Sequence, residues 1–119
     1  MMSSHESKIW QEQVEQTHIV GLSGRVDQLV TPTLDTTLTH LIGNGTCRLL
    51  IDLTAVHYIN SGGLRCLVSA WRHARRQGGD VALYGLSARL KGLFETVGFD
   101  NVFKIYANKE SALYPDPSS

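Results

Sequence analysis

The sequence predicts a single α/β domain, a mixed and mostly parallel sheet of about five strands with helices packed on it. Short apolar runs typical of strands alternate with segments in which apolar residues recur every three or four positions, as on a helix. Parallel neighbours need a crossover connection, so this alternation favours a parallel sheet. The first two strand-like segments are joined by a very short connection, which predicts one antiparallel hairpin at the start.

The predicted strands differ in character along the chain. The first contains Ile9 and Trp10 as its apolar part, and the second ends at Gly24. The third and fourth are nearly continuous apolar runs, which is typical of strands buried on both faces of a sheet. A short fifth strand is expected near the end. The predicted ranges are 8–16, 17–24, 47–53, 80–86 and 102–108.

The predicted helices lie between these strands. The first has apolar residues at helical spacing from Leu34 to Ile42, and glycines at positions 43 and 45 end it. The second is expected over about 62–77, the third over 87–98, and the last is the short segment 109–113. The apolar face of the second helix is expected to carry Leu64, Leu67, Val68 and Trp71. The expected caps are Thr31, Ser61 and Ser87.

Composition excludes several classes of protein. The chain has 119 residues, enough for one domain, and its 11 basic residues equal its 11 acidic ones, which gives no reason to expect nucleic acid or an anionic membrane as a partner. No apolar run reaches the roughly 20 residues that span a bilayer. The start lacks a secretory signal, so we expect a reducing cytoplasm, with Cys47 and Cys66 as buried free thiols. The domain is expected over 8–113, between flexible segments 1–7 and 114–119.

The turn before the second helix carries a hydroxyl group at the start of the helix. Residues 54–60 are expected to form a loop at the carboxyl end of a parallel strand, where function is concentrated in such sheets. Ser61 follows, and Gly62 and Gly63 leave the backbone open to a neighbour. Ser61 is either a simple helix cap or a modified serine. A phosphate would be tolerated there, because helix N-termini favour anions.

Three segments in order resemble the STAS domain family, and more narrowly the free-standing bacterial anti-sigma-factor antagonists. "LSGRVDQLVTPTLDTTL" is similar to the family's second strand and first helix. "LLIDLTAVHYINSGGLRCLVSAWRHARRQGG" resembles the signature, a strand, Asp-Leu, a short loop, Asp-Ser-Ser-Gly-Leu and a helix. "VALYGLSARLKGLFETVGFDNVFKIYANKESAL" resembles the closing part. Together they cover almost the whole chain.

The resemblance implies a regulator that works by binding and not an enzyme. Such antagonists bind a serine-kinase anti-sigma factor, which holds ATP and phosphorylates the signature serine; phosphorylation releases the antagonist, and a phosphoserine phosphatase restores it. By position, Ser61 matches that serine. Gly63 and Leu64 match the glycine and leucine that follow, and Asp27 matches an acidic residue beside the loop. The resemblance implies no cofactor held by the chain itself. Arg25 and Thr31 are weaker candidates for the same surface.

Two departures from the signature leave alternatives open. Asn60 replaces the acidic residue before the serine, and Gly62 replaces the second serine, so that any phosphorylation in this loop should fall on Ser61. The predicted partner-binding residues are Asp27, Asn60, Ser61, Gly62, Gly63 and Leu64. One alternative is an interaction subunit of a lipid-transport or stress-sensing complex that is not phosphorylated. Another alternative is a small enzyme or nucleotide binder, although no residue of the sequence requires either function.

Other polar residues favour structural roles. Asp52 ends a buried strand and resembles a structural residue of the family. His57 and Tyr58 are expected in the loop, where they could join an interface. No third residue completes a catalytic set with Ser61 and His57. The basic side of the second helix is expected to be a solvated face, formed by Arg65, Arg72, His73, Arg75 and Arg76.

Overall fold

A five-stranded mixed sheet forms the centre of the protein. The computed structural model describes residues 8–46 and 48–115. The strands lie in sequence order, with β1 antiparallel to β2 and all later neighbours parallel. This confirms the predicted fold class and the opening hairpin. The strands are β1 (Lys8–Val14), β2 (Thr17–Val26), β3 (Arg48–Ile59), β4 (Asp80–Tyr84) and β5 (Ile105–Tyr106).

Three helices cover one face of the sheet and a short fourth helix packs on the other. The main core joins apolar side chains of α1, α2 and α3 to alternate strand residues such as Leu49 and Ile51. Leu50 points the other way, into a smaller cluster with Ala112 of α4. The helices are α1 (Thr31–Gly43), α2 (Ser61–Arg76), α3 (Ala88–Thr96) and α4 (Lys109–Leu113), with a 3₁₀ turn at Phe99–Asn101.

The third strand is longer than the sequence predicts. Residues 54–59, expected in a loop, continue β3, because they keep pairing with β2 as far as Val26 opposite Ile59. Register shifts in this pairing occur between Gly21 and Ser23 and between Gly24 and Arg25. They let the two strands remain paired while the local alternation of side chains changes. His57 and Tyr58 therefore lie on a strand and not in a loop.

The buried face of α2 also differs from the prediction. Of the expected residues, Leu67 is fully buried, whereas Leu64, Val68 and Trp71 are only partly buried at the margin of the core. The other buried positions of α2 are the small residues Gly63, Ala70 and Ala74. Small side chains at these positions let the helix approach the sheet closely. A reading by periodicity gives most weight to large apolar residues. The predicted apolar face of α2 therefore lies to one side of the face that contacts the sheet.

A row of residues crosses the second face of the sheet from β1 to β5. Trp10, Gly21, Asp52, Tyr84 and Tyr106 lie opposite one another on successive strands. A Cβ atom at Gly21 would overlap the Trp10 indole ring, so the glycine makes room for the tryptophan. The expected flexible segment 1–7, residues 116–119 of the expected tail, and Cys47 lie outside the described residues.

Candidate functional site

The ends of β2 and β3 bring Asp27 and Asn60 together. Val26 and Ile59 are paired, and the Asn60 N–H donates to the Val26 carbonyl oxygen at 2.9 Å. Asp27 follows Val26 directly, so it lies beside the start of α2, as the sequence predicts. Its Oδ1 accepts the Leu29 N–H at 3.0 Å, which holds the turn before α1. Asp27 therefore shapes this turn and remains partly exposed.

Asn60, and not Ser61, caps the second helix. Asn60 has an extended backbone with φ −89° and ψ 177°, and its Oδ1 accepts the Gly63 N–H at 2.8 Å. The expectation that Ser61 is the cap is therefore wrong. Asparagine caps helices as well as serine does, so the helix begins one residue earlier than a serine cap would require. Ser61 becomes the first helical residue, and it is exposed.

The Ser61 hydroxyl makes no hydrogen bond within the described part of the chain. The first two amides of α2, those of Ser61 and Gly62, are likewise unbonded there, because Asn60 takes the next two: its side chain accepts from Gly63, and its carbonyl accepts the Leu64 N–H at 3.0 Å. Unbonded amides at a helix N-terminus favour a negative charge. The site thus combines an available hydroxyl with a backbone that accommodates an anion.

The two glycines after Ser61 have different surroundings. A Cβ at Gly63 would lie 2.7 Å from Ile59 Cγ1 and 2.9 Å from Val26 Cγ1, so this residue is buried against the strand ends. A Cβ at Gly62 would meet only Asn60 Oδ1 at 3.4 Å and Thr31 Cγ2 at 3.7 Å. Gly63 therefore sets the close packing of α2 on the sheet, whereas Gly62 is partly buried beside Asn60 and Thr31, with room for a side chain.

The start of α1 borders the same surface. Thr31 lies near Gly62, as the sequence suggested, but Thr31 does not cap α1. Val30 occupies the cap position without a side-chain bond, and Thr31 is the first helical residue. Pro32 is consequently the second residue and not the first. Ser87, in contrast, caps α3 as predicted, and its Oγ accepts the Leu90 N–H at 3.2 Å.

An apolar groove runs along α2 beside Ser61. It has a volume of about 260 Å³ and lies between the first two turns of α2 and the 3₁₀ turn. Its lining residues are Ser61, Leu64, Arg65, Val68 and Phe99. Sequence reasoning included Leu64 but missed Phe99, because nothing in the local pattern near residue 99 shows that this turn returns to α2. It also missed Leu29, which is 83% exposed in the turn that Asp27 holds.

The structure also tests the expectations about Cys66 and about the basic face of α2. Cys66 is only partly buried, not fully, and its Sγ lies 3.8 Å from the Thr31 carbonyl oxygen. Burial, and secondarily the Asp35 charge, raise the pKa of the Cys66 thiol, while Arg65 lowers it. The thiol is therefore kept protonated and a poor nucleophile. Four residues of the predicted basic face of α2 are exposed, as expected for a solvated face: Arg65, Arg72, Arg75 and Arg76. His73 is only partly exposed.

Asp52 has a structural role in the sheet. Its Oδ2 accepts the Tyr84 hydroxyl at 3.0 Å, and its Oδ1 accepts the Thr54 N–H at 2.9 Å. Burial raises the pKa of Tyr84 well above its usual value, and the charge and hydrogen bond of Asp52 add to this effect. The pair thus joins β3 to β4 and lies in the row of residues that crosses the sheet.

Residues 8–46 and 48–115 contain neither a cluster of metal ligands nor a helix that could span a membrane. No group of three or more His, Cys, Asp or Glu residues could hold a metal ion in these ranges. In the same ranges, no helix is long and apolar enough to cross a bilayer.

Comparison with known proteins assigns the family. The model of the STAS domain matches residues 9–112, and the chain belongs to the STAS domain family. It is 33% identical over 94 residues to the anti-sigma-B factor antagonist of Bacillus subtilis, in an alignment that covers 79% of this chain and 85% of that protein.

Solved structures share the same fold. The anti-sigma factor antagonist from Mycobacterium paratuberculosis superimposes with a TM-score of 0.83 at 21% identity, covering 95% of this chain and 96% of that one. The Bacillus cell fate determinant SpoIIAA in its phosphorylated form superimposes with a TM-score of 0.73 at 17% identity, covering 89% and 96%. At these identities the structures establish the fold alone.

Proposed function

We propose that this chain is an anti-sigma factor antagonist: it binds a serine-kinase anti-sigma factor while unmodified and releases it once Ser61 is phosphorylated. The anti-sigma-B factor antagonist of B. subtilis, with 33% identity, supports the general role. One observation carries the specific proposal. The Ser61 hydroxyl is exposed and unbonded at the first position of α2, because Asn60 performs the capping.

The proposed contact surface surrounds Ser61. Asp27 and the exposed Leu29 border it on the β2 side, and Leu64 opens into the apolar groove on the other. Gly62 leaves the approach to Ser61 uncovered. Gly63 is buried, so it acts by setting the position of the helix and not by touching a partner. A surface with exposed apolar residues beside polar ones is typical of protein contacts.

Phosphorylation would change this surface without changing the fold. A phosphoserine carries a charge of about −1.5 to −2 at neutral pH. The unbonded amides of Ser61 and Gly62 can stabilise that charge locally, so the helix start remains intact. A partner that covers the apolar groove would have to desolvate the phosphate next to it, which is strongly unfavourable. If the partner kinase holds its ATP near this contact, the same charge would also repel the nucleotide phosphates.

The position also defines which hydroxyl is modified. Gly62 replaces a possible second hydroxyl, and residues 60–64 contain no other serine or threonine. Phosphate in this segment is therefore expected on Ser61 alone. A phosphoserine phosphatase would remove it and restore binding.

The test is a pull-down from a lysate of the source organism, read by mass spectrometry. The baits are the wild type, Ser61→Ala, Ser61→Asp and Ser69→Asp. Ser69 is exposed on the same helix two turns further on, so its replacement adds the same charge away from the proposed contact. We expect a kinase-like ATPase on the wild type, Ser61→Ala and Ser69→Asp, and its loss from Ser61→Asp. Incubation with ATP should place phosphate on Ser61 of the wild type.

Equal binding of a partner to all four baits would refute the charge switch. A transporter or scaffold subunit as that partner would favour the alternative, an interaction subunit that is not phosphorylated in a lipid-transport or stress-sensing complex. Asn60 in place of an acidic residue and Gly62 in place of the second serine are the sequence features that leave room for this alternative.

A further inference from the structure

The outward side of α2 carries three arginines, here called the arginine row: Arg65, Arg72 and Arg76. All three are exposed. They follow one another at spacings of seven and four residues, which places them on one side of the helix, because a turn takes 3.6 residues. Arg75 is different, because its guanidinium lies 6.0 Å from the centre of the Trp71 ring.

No carboxylate neutralises the arginine row. The helix contains no Asp or Glu between Ser61 and Arg76, and within residues 8–46 and 48–115 no carboxylate forms an ion pair with an arginine of the row. The charge of Asp35 on α1 acts on the Cys66 thiol, so the acidic charge that reaches this helix comes from the α1 side. Positive charge is thus concentrated on one helix face of a chain whose total charge is zero.

The apolar groove along α2 adjoins the arginine row. Arg65 belongs to both, and Val68, one turn further on, lines the groove between the first two arginines. None of the lining residues is acidic, and none belongs to α1. Phe99 forms the opposite wall, and edge-to-face contacts with Phe94 and Phe103 hold its ring, with centres 6.1 and 6.3 Å apart. The surface therefore offers a preformed apolar recess beside positive charge.

We propose that this surface binds an amphipathic helix of a partner protein, with carboxylates facing the arginine row and one large apolar side chain in the groove. Arginine binds a carboxylate through two parallel hydrogen bonds. A partner helix has the same rise per residue as α2, so carboxylates four and seven residues apart would lie opposite the row. A small anion would engage one arginine and leave the groove empty. The inference rests on the contact surface proposed around Ser61, and it names the partner element that lies along α2.

The test is a titration of the unphosphorylated, ¹⁵N-labelled protein with a synthetic helical peptide, followed by amide chemical shifts. The probe is an alanine-based helix with Glu at spacings of four and seven residues and one Leu on the same face. One control has Gln in place of every Glu, and another has the same composition with Glu spread around the helix. We expect the probe to shift the amides of Leu64, Val68 and Arg72, and both controls to bind at least about tenfold more weakly.

Two variants with the same charge change localise the effect. Arg72→Glu should weaken binding of the probe by about tenfold or more, whereas Lys91→Glu, at an exposed position of α3 outside the groove, should change the affinity by less than about threefold. Arg72 does not line the groove, so its replacement leaves the apolar recess intact, and circular dichroism checks the fold. Serine in place of the probe's Leu tests the groove itself and should also weaken binding by about tenfold.

Three results would overturn the proposal. One is equal affinity for the probe and either control peptide. Another is a set of shifted amides away from α2 and the 3₁₀ turn. The third is tighter binding of a short oligothymidylate than of the probe, which would assign the arginine row to nucleic acid. The titration contains no kinase, so the expected shifts, together with a partner that Ser61→Asp retains in the pull-down, would refute the charge switch alone.

Discussion

Alanine at Gly63 and alanine at Gly62 should change stability in opposite directions. In a helix, alanine is about 1 kcal/mol more favourable than glycine, and both positions gain from this. At Gly63, however, the new Cβ would lie 2.7 Å from Ile59 Cγ1 and 2.9 Å from Val26 Cγ1. Both atoms belong to stiff β-branched side chains in the core, and overpacking of this kind costs about 1–3 kcal/mol.

The comparison isolates the packing cost, because the gain in helix propensity cancels between the two variants. At Gly62 the Cβ would have only ordinary contacts, the nearest with Asn60 Oδ1 at 3.4 Å. We expect Gly62→Ala to be stabilised by up to about 1 kcal/mol and Gly63→Ala to be about 1–3 kcal/mol less stable than Gly62→Ala.

Urea unfolding followed by circular dichroism measures this difference. With a slope of about 1–3 kcal/mol per molar, the two midpoints should differ by about 1 M. If Gly63→Ala were as stable as Gly62→Ala, the close approach of α2 to the ends of β2 and β3 would not constrain the helix, and the reasoning would fail.

Two further predictions concern the cap and the sheet. Asn60→Ala should lower the free energy of unfolding by about 1 kcal/mol through loss of the bond to the Gly63 N–H, whereas Ser61→Ala should change it by less than about 0.5 kcal/mol; similar urea midpoints for the two variants would contradict this. The pKa of Tyr84 is higher in the folded protein than the ordinary tyrosine value near 10. The protonated hydroxyl therefore contributes its full stabilisation below about pH 10, where the unfolded chain also keeps this proton. Stability should therefore fall as pH rises above about 10, and more steeply in the wild type than in Tyr84→Phe, which lacks the titrating hydroxyl. Urea unfolding at about pH 9 and pH 11 measures both losses, and equal losses in the two proteins would contradict the raised pKa of Tyr84.

The sequence alone was sufficient for the architecture. Periodicity separates helices from strands because each places its apolar residues at a different spacing. Helix α4 falls on the predicted segment 109–113, and Ser87 caps α3, because both signals are local. The family resemblance selected Ser61 from the signature segment and Asp27 from the segment before it, and the structure places the two on neighbouring elements, since consecutive parallel strands end at the same edge of the sheet.

Tertiary contacts decided the features that local signals leave open. Asn60 and Ser61 are both good capping residues, and the hydrogen bond from Asn60 to Val26 selects Asn60, since it fixes that backbone in the extended form just before the helix. That choice leaves the Ser61 hydroxyl available. The length of β3 likewise depends on its pairing with β2, a contact between distant segments that composition cannot encode.

The groove beside Ser61 also depends on tertiary contacts. Phe99 joins this groove only because the turn after α3 folds back beside α2. The sequence by itself determined the order and type of the helices and strands and placed Ser61 at the start of the second helix, because those properties depend on near neighbours. The tertiary structure alone decided which side chains surround that serine, because those contacts join residues far apart in the chain.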